Sequence, residues 1–236
     1  DLVAITFGFL DLVSIITAGL LDDVSIASLS KVVNQTHLKH ADQIRLNDSR
    51  RIDEILSSVI NIRPDLILIS GGTDNGANKS VLRILEIILF CINHLPKDRP
   101  PEVIFAGNAT LSKTIEEIEI KNGKISLVDN IRPTLEKENL TPARNKVNEI
   151  NSQILNKKIP GFDYLSSYSR SNPTPFIQAI GNMSKFLSKL SNEKNSNILV
   201  LDFNKEMLLF AGSSQSELFL DVQENNLHLN PDNICA

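Results

Sequence analysis

Tryptophan is missing from this chain of 236 residues, and cysteine, methionine and tyrosine occur only twice each. The two cysteines, Cys91 and Cys235, lie far apart and neither has a metal-ligand neighbour, which points to a reduced, cytoplasmic setting. Positive charge is not in surplus: 24 Lys and Arg against 28 Asp and Glu leave a net charge of −4. With no basic stripe interleaved with aromatics, a nucleic-acid partner is not expected. No cationic segment precedes the apolar run Leu2–Leu21, and Asp1 and Asp11 punctuate it. It therefore reads as neither a signal peptide nor a membrane span, and two buried strands, Leu2–Leu10 and Leu12–Ala18, account for it better. The initiating methionine is lacking too, so the chain is expected to be a piece of something longer.

What is present is a hydrophobic fraction of 42%, ordinary for a packed domain, arranged in a regular alternation. Strand Val13–Ala18 leads to a helix from about Ser25 to Thr36, and a short strand near Gln43–Leu46 leads to a helix over Ser49–Ile60. Strand Asp65–Ser70 leads to helix Asn78–Leu95, strand Val103–Ala106 to helix Leu111–Ile118, and strand Ile125–Val128 follows the turn Asn122-Gly123. Short apolar strands alternating with helices predict βαβ units, hence an α/β fold with a parallel, doubly wound sheet. After Asp129 the pattern changes. Thr141-Pro142 and Thr174-Pro175 each read as an N-cap followed by proline at the first helical position. Ile198–Phe203 and Met207–Ala211 read as a β-hairpin around Asn204-Lys205, and the tail from Gln223 reads as loop. This divides the chain into an α/β domain over 1–130 and a segment over 131–236, helical and then hairpin, which is part of a second domain.

The stretch Ser70-Gly71-Gly72-Thr73-Asp74-Asn75-Gly76 joins a buried strand to a helix start. Glycines permit positive φ and close backbone approach, and free N–H groups at a helix start favour anions. It is not a P-loop, because Lys79-Ser80 stands two residues too far from Gly76, and it is not G-x-G-x-x-G. Two readings stand side by side: bare turn chemistry with Asp74 or Asn78 capping the helix, or a ligand loop beyond the carboxyl end of its strand. Ala106-Gly107-Asn108 and Asp129-Asn130 end two further strands, and if those strands are neighbours the three turns line one crevice. His37 and His40, at i and i+3, read as a solvated helix end with no third ligand to make a metal site. Arg132 is placed to pair with Asp129 or with an anion. Ser70 lacks a G-x-S-x-G elbow, and no catalytic residue is assigned.

Taken together, Asp65 to Gly76, Ala106-Gly-Asn108, Asp129-Asn-Ile-Arg-Pro-Thr-Leu135 and Pro142-Ala-Arg144 resemble the MutL-type accessory proteins of glutamate (methylaspartate) mutase. These are distinct from the mismatch-repair protein of the same name. Gly19-Leu-Leu-Asp-Asp-Val-Ser25 and Pro173-Thr-Pro175 extend the resemblance over most of the chain. It implies an actin/Hsp70/sugar-kinase-like fold and a chaperone-like role toward a cobalamin-dependent mutase subunit. It also implies a second phosphate turn of the form Asp-hydrophobic-Gly-Gly/Ala. Here that position reads Asp202-Phe203-Asn204-Lys205-Glu206-Met207: the aspartate survives, while side chains replace the glycines and Glu206 repels a phosphate. The expectation is therefore a degenerate nucleotide-binding or partner-binding module. Two alternatives remain: an ATP-dependent reactivating factor that holds Mg-ATP through Gly71–Gly76 and Asn108, and a hydantoinase-like small-molecule enzyme.

Overall fold

Four consecutive apolar residues, Leu66–Ile69, are each fully buried, which a strand allows when its sheet is covered on both faces. The computed structural model describes residues 5–7, 13–36, 38–118, 120, 125–168, 173–190, 197–203, 207–214 and 217–224. In chain order its elements are β1 (Thr6–Phe7), β2 (Ser14–Gly19), α1 (Ala27–Asn34), β3 (Lys39–Arg45), α2 (Ile52–Ile62), β4 (Leu66–Ile69), α3 (Asn78–Asn93), β5 (Glu102–Phe105) and α4 (Ser112–Glu116). There follow β6 (Ile125–Leu127), α5 (Thr141–Lys158), α6 (Phe162–Ser167), β7 (Thr174–Pro175), α7 (Phe176–Leu190), β8 (Asn197–Phe203), β9 (Met207–Ser214) and β10 (Glu217–Glu224). Contacts group the chain into two units, Phe9–Tyr168 and a second formed by Asp1–Gly8 with Ser169–Ala236. The division by contacts thus falls at residue 168, because α5 packs with α1 and β5. Among the described residues, no helix is long and apolar enough to cross a membrane.

The larger unit carries a five-stranded parallel sheet in the order β3-β2-β4-β5-β6. Side chains alternate across it, so Ile16, Ile67, Ile69, Val103 and Phe105 share one face with α2, α3 and α4 residues such as Ile55, Val59, Ile84, Ile88 and Ile115. α1 and α5 lie against β2 and β5 through Leu29, Val32, Val147 and Ile150, which belong to no part of that cluster. The sheet is therefore doubly wound, as the βα alternation predicts. The chain steps from β2 out to β3, then returns past β2 to β4, so the strand order reverses between β2 and β4. In such sheets the crevice outside the carboxyl ends at that reversal is where ligands sit.

At the opposite edge of this sheet, one buried carboxylate ties the layers together. Asp65 accepts from the backbone N–H of Ser14 at 2.9 Å and from Lys158 Nζ at 2.7 Å, and it also pairs with Arg99. Burial alone pushes its pKa up, but the hydrogen bonds from Lys158 and Ser14 outweigh that and hold it below the ordinary value.

In the smaller unit β8, β9 and β10 form an antiparallel sheet, and β1 pairs with β7 in parallel. α7 covers one face of the antiparallel sheet: Ile177 packs with Leu209, Ala211 and Leu220. Gly181 sets the spacing, since a Cβ there would stand 2.8 Å from Leu220 Cδ2. Ser188 Oγ and Ser213 Oγ, 3.0 Å apart, join helix to sheet in the same layer.

Several local expectations are corrected. Of the predicted first strand, only Thr6–Phe7 is extended among the described residues, and it pairs with β7 rather than joining the parallel sheet. His40 lies on strand β3 and not on a helix, because the strand begins four residues earlier than the apolar pattern suggests. His37 lies outside the described residues. Thr174-Pro175 is strand rather than helix cap, and a third strand, β10, converts the expected hairpin into a three-stranded sheet. Thr141 is itself helical with Pro142 beside it, and Leu140 occupies the cap without a side-chain bond. The turn Asn122-Gly123 lies outside the described residues, as does the tail beyond Glu224.

Candidate functional site

β4, β5 and β6 are neighbours, so the three turns that follow them meet at one edge of the sheet. The chain leaves β4 through Ser70, whose buried hydroxyl donates to the carbonyl of Ala106 at 3.0 Å and ties the β4 turn to the β5 turn. Gly71 then passes close to two neighbours. Its carbonyl accepts the Asn108 N–H at 3.0 Å, and a Cβ at Gly71 would stand 2.6 Å from Leu20 Cγ. Gly72 adopts φ +72°, a conformation that glycine takes without cost, and Asn75 follows at φ 63°. The Gly76 N–H closes the loop onto Thr73 O at 2.8 Å, and the Asn78 N–H donates to Gly76 O at 2.9 Å.

Asn108 is the centre of the arrangement and is fully buried. Its Oδ1 accepts from the Thr110 N–H at 3.0 Å, the Thr110 hydroxyl at 2.9 Å and the Asn75 N–H at 3.3 Å. Its Nδ2 donates to Asn78 Oδ1 at 2.6 Å. Asn130, also buried, donates to Gly72 O at 3.0 Å and to Asp74 Oδ1 at 2.9 Å. The same carboxylate oxygen accepts the Ala109 N–H at 3.1 Å, and the Asp74 N–H donates to Pro133 O at 3.0 Å. Buried polar groups need such partners, and these supply one another. Asp129 differs: it is exposed and its carboxylate has no partner among the described residues.

Nine of the ten residues expected to line the crevice, Ser70 through Gly76 with Asn108 and Asn130, are therefore joined in one hydrogen-bonded web, and Asp129 stands beside it. Neither Asp74 nor Asn78 caps α3, because Ala77 holds that position without a side-chain bond and both side chains are engaged across the turns. Arg132 does not pair with Asp129. It donates through Nε to Ser28 Oγ at 2.8 Å and lies 3.3 Å from Glu138, which also binds Lys31 at 2.9 Å. Burial raises the Glu138 pKa, but the bonds from Ser28 and Lys31 outweigh it and hold the carboxyl below its ordinary value. Ser28, Arg132 and Glu138 thus clasp the segment between β6 and α5 onto α1. Their separation of more than 100 residues in sequence left no local signal by which to find them.

At the strand-order reversal itself the turn after β2 is closed by Ser25, whose Oγ accepts the N–H groups of Leu20 at 2.9 Å and Leu21 at 3.1 Å. Leu20 is buried and packs against Gly71. Asp22 and Asp23 follow it at the rim, exposed. Asp22 pairs with Arg45 at 2.6 Å, and Asp23 and Asp129 have no ion-pair partner among the described residues. Asp202 lies in the smaller unit, half-buried on β8 opposite Leu209, and Asn204 lies outside the described residues. Among the described residues no group of three or more His, Cys, Asp or Glu is placed to hold a metal ion.

A family model described as MutL protein matches residues 12–203, most of the chain, and takes in the turns after β2, β4, β5 and β6. No curated protein matches the chain.

Proposed function

The chain belongs to the MutL protein family, that of the glutamate mutase accessory proteins and not of mismatch repair, and on that premise we propose that it serves a cobalamin-dependent mutase by binding a mutase subunit. Its role in this reading is chaperone-like, with no ATP hydrolysis of its own. The observation that carries the second half is the self-satisfied web at Gly71–Gly76. Asn108 bonds to Asn75, Asn78 and Thr110, and Asn130 bonds to Gly72 O and to Asp74 Oδ1, so these side chains are engaged within the turns. A phosphate would have to displace those bonds. The replaced glycines at Asn204-Lys205 point the same way. The test is co-elution of the chain with purified methylaspartate mutase on size exclusion. A stable complex is expected, and separate elution at micromolar concentrations of both contradicts the proposal.

A second reading is favoured by the place of the loop, at the carboxyl edge beside the strand-order reversal. In it the protein is an ATP-dependent reactivating factor, and Gly71–Gly76 with Asn108 holds Mg-ATP. A thermal-shift titration separates the two, since ligand at 100 times its Kd adds about 2.7 kcal/mol of stability. A saturable rise with Mg-ATP or Mg-ADP that is lost in Gly72→Asp establishes the second reading. No rise at millimolar nucleotide removes it.

A further inference from the structure

Among the described residues of the larger unit, half-buried cations come with a carboxylate. Arg45 pairs with Asp22, Arg50 with Asp42 and Asp48, Arg132 with Glu138, Lys146 with Glu149 and Lys158 with Asp65. A charge taken out of water is costly unless an opposite charge meets it, so this is the expected arrangement. Arg144 breaks the pattern. It is half-buried near the start of α5, in the Pro142-Ala-Arg144 stretch that the glycine loop and its web leave unused, and it has no ion pair.

Its surroundings are polar and uncharged. Nη1 donates to Oε1 of Gln35, the C-cap residue of α1, at 3.1 Å. Nε is buried and has no hydrogen-bond partner, while Nη2 keeps access to solvent. Thr141 and Asn148, one turn away on the same face of α5, carry no charge. Glu138 and Glu149, the nearest acids on either side in sequence, are already tied to Lys31 and Lys146. Burial pushes the Arg144 pKa down, and no carboxylate opposes it. The C-terminus of α1 supplies at most about half a negative charge. The guanidinium is therefore under-compensated, with most of its N–H donors unused.

We infer that Arg144 is a binding site for a carboxylate that comes from outside this chain. The planar fork of a guanidinium matches the two oxygens of a carboxylate, and the group approaches from the Nη2 side, which reaches solvent. A monoanion suits the site better than a dianionic phosphate, because Lys146, the neighbouring cation on α5, is held by Glu149. Two sources offer the group. One is an Asp or Glu side chain of a mutase subunit, which rests on the mutase-binding reading, and the other is a free organic acid.

The test follows thermal unfolding of the whole chain in sodium acetate and in sodium chloride at equal ionic strength. It compares the wild type with Arg144→Met, which drops the charge, and with Arg144→Gln, which can still donate to Gln35. Acetate is expected to raise the wild-type midpoint saturably, by about 2 °C or more over chloride, and both variants are expected to lose that excess. In chloride the variants are expected to be at least as stable as wild type, since they remove an under-compensated charge. No acetate excess in the wild type, or an equal excess in the variants, overturns the inference. So does a fall of more than about 2 °C in chloride for both variants, which would make Arg144 a packing residue. A larger Arg144-dependent excess in inorganic phosphate overturns the assignment to carboxylates. Purified methylaspartate mutase then identifies the source. Binding lost in Arg144→Met assigns a side chain of that enzyme, and unchanged binding assigns a free acid. Failure of the wild type to bind it also assigns a free acid and counts against the mutase-binding reading, leaving the acetate result intact.

Discussion

Single residues decide whether the glycine loop is a knot or an open site. Asn108 satisfies three donors and one acceptor while fully buried, so its loss leaves the Asn75 and Thr110 N–H groups without that partner. Asn108→Ala is expected to lower unfolding stability by roughly 1–3 kcal/mol in urea titration, and a change below about 0.5 kcal/mol would show that water replaces the side chain freely. Gly71→Val introduces a branched side chain where a single Cβ already meets Leu20, and overpacking of that kind costs about 1–3 kcal/mol. The carboxylate of Asp48 titrates in the acid range: the hydrogen bond from Arg50, against the opposing effect of burial, brings it from 3.8 to about 2. A carboxyl depressed on folding is protonated more readily in the unfolded chain, so its stabilisation is complete above pH 3.8 and is lost as pH falls toward 2. Burial opposes and the Arg50 and Ser58 bonds favour the same direction at Asp42. Denaturation midpoints should therefore fall steeply over that window, and Arg50→Leu should flatten the fall. An unchanged profile in the variant would mean that these carboxylates carry none of it.

At the scale of elements, the parallel strands and their order of covering helices were legible because their cause is local. Leu66–Ile69 and Val103–Phe105 are continuous apolar runs, and each is followed by a helix with apolar spacing. Ile67→Ala removes a fully buried side chain from the central strand and should cost about 2–5 kcal/mol by the cavity it leaves. What was not legible has a nonlocal cause. His37 and His40 stand at i and i+3, a helix-like spacing, yet strand β3 takes Lys39–Arg45 because β2 offers it backbone partners along its whole length. Thr174-Pro175 reads as a cap, but β1 recruits it from the far end of the chain. Asp65 looked like no more than a strand start. Through Ser14, Lys158 and Arg99 it holds β2, α5 and the segment before β5 together, and Asp65→Ala is expected to cost roughly 2 kcal/mol or more by urea titration. A loss within experimental error would mean that these partners find other acceptors.

For the whole molecule, the candidate site was half legible. The convergence of Ser70–Gly76, Asn108 and Asn130 was conditional on their strands being neighbours, and the order β4-β5-β6 meets that condition. Their mutual satisfaction did not follow, because whether an asparagine faces a ligand or a neighbouring turn depends on side-chain geometry that spacing does not encode. The clasp of Arg132 and Glu138 onto α1 was invisible for the same reason. The chain belongs to the MutL family, and the function proposed for it above is binding of a mutase without nucleotide. The most direct test is calorimetric titration of this chain into purified methylaspartate mutase, with and without Mg-ATP. The account predicts saturable binding with the same Kd in both solutions. Binding that appears only with Mg-ATP, or no binding in either, contradicts it.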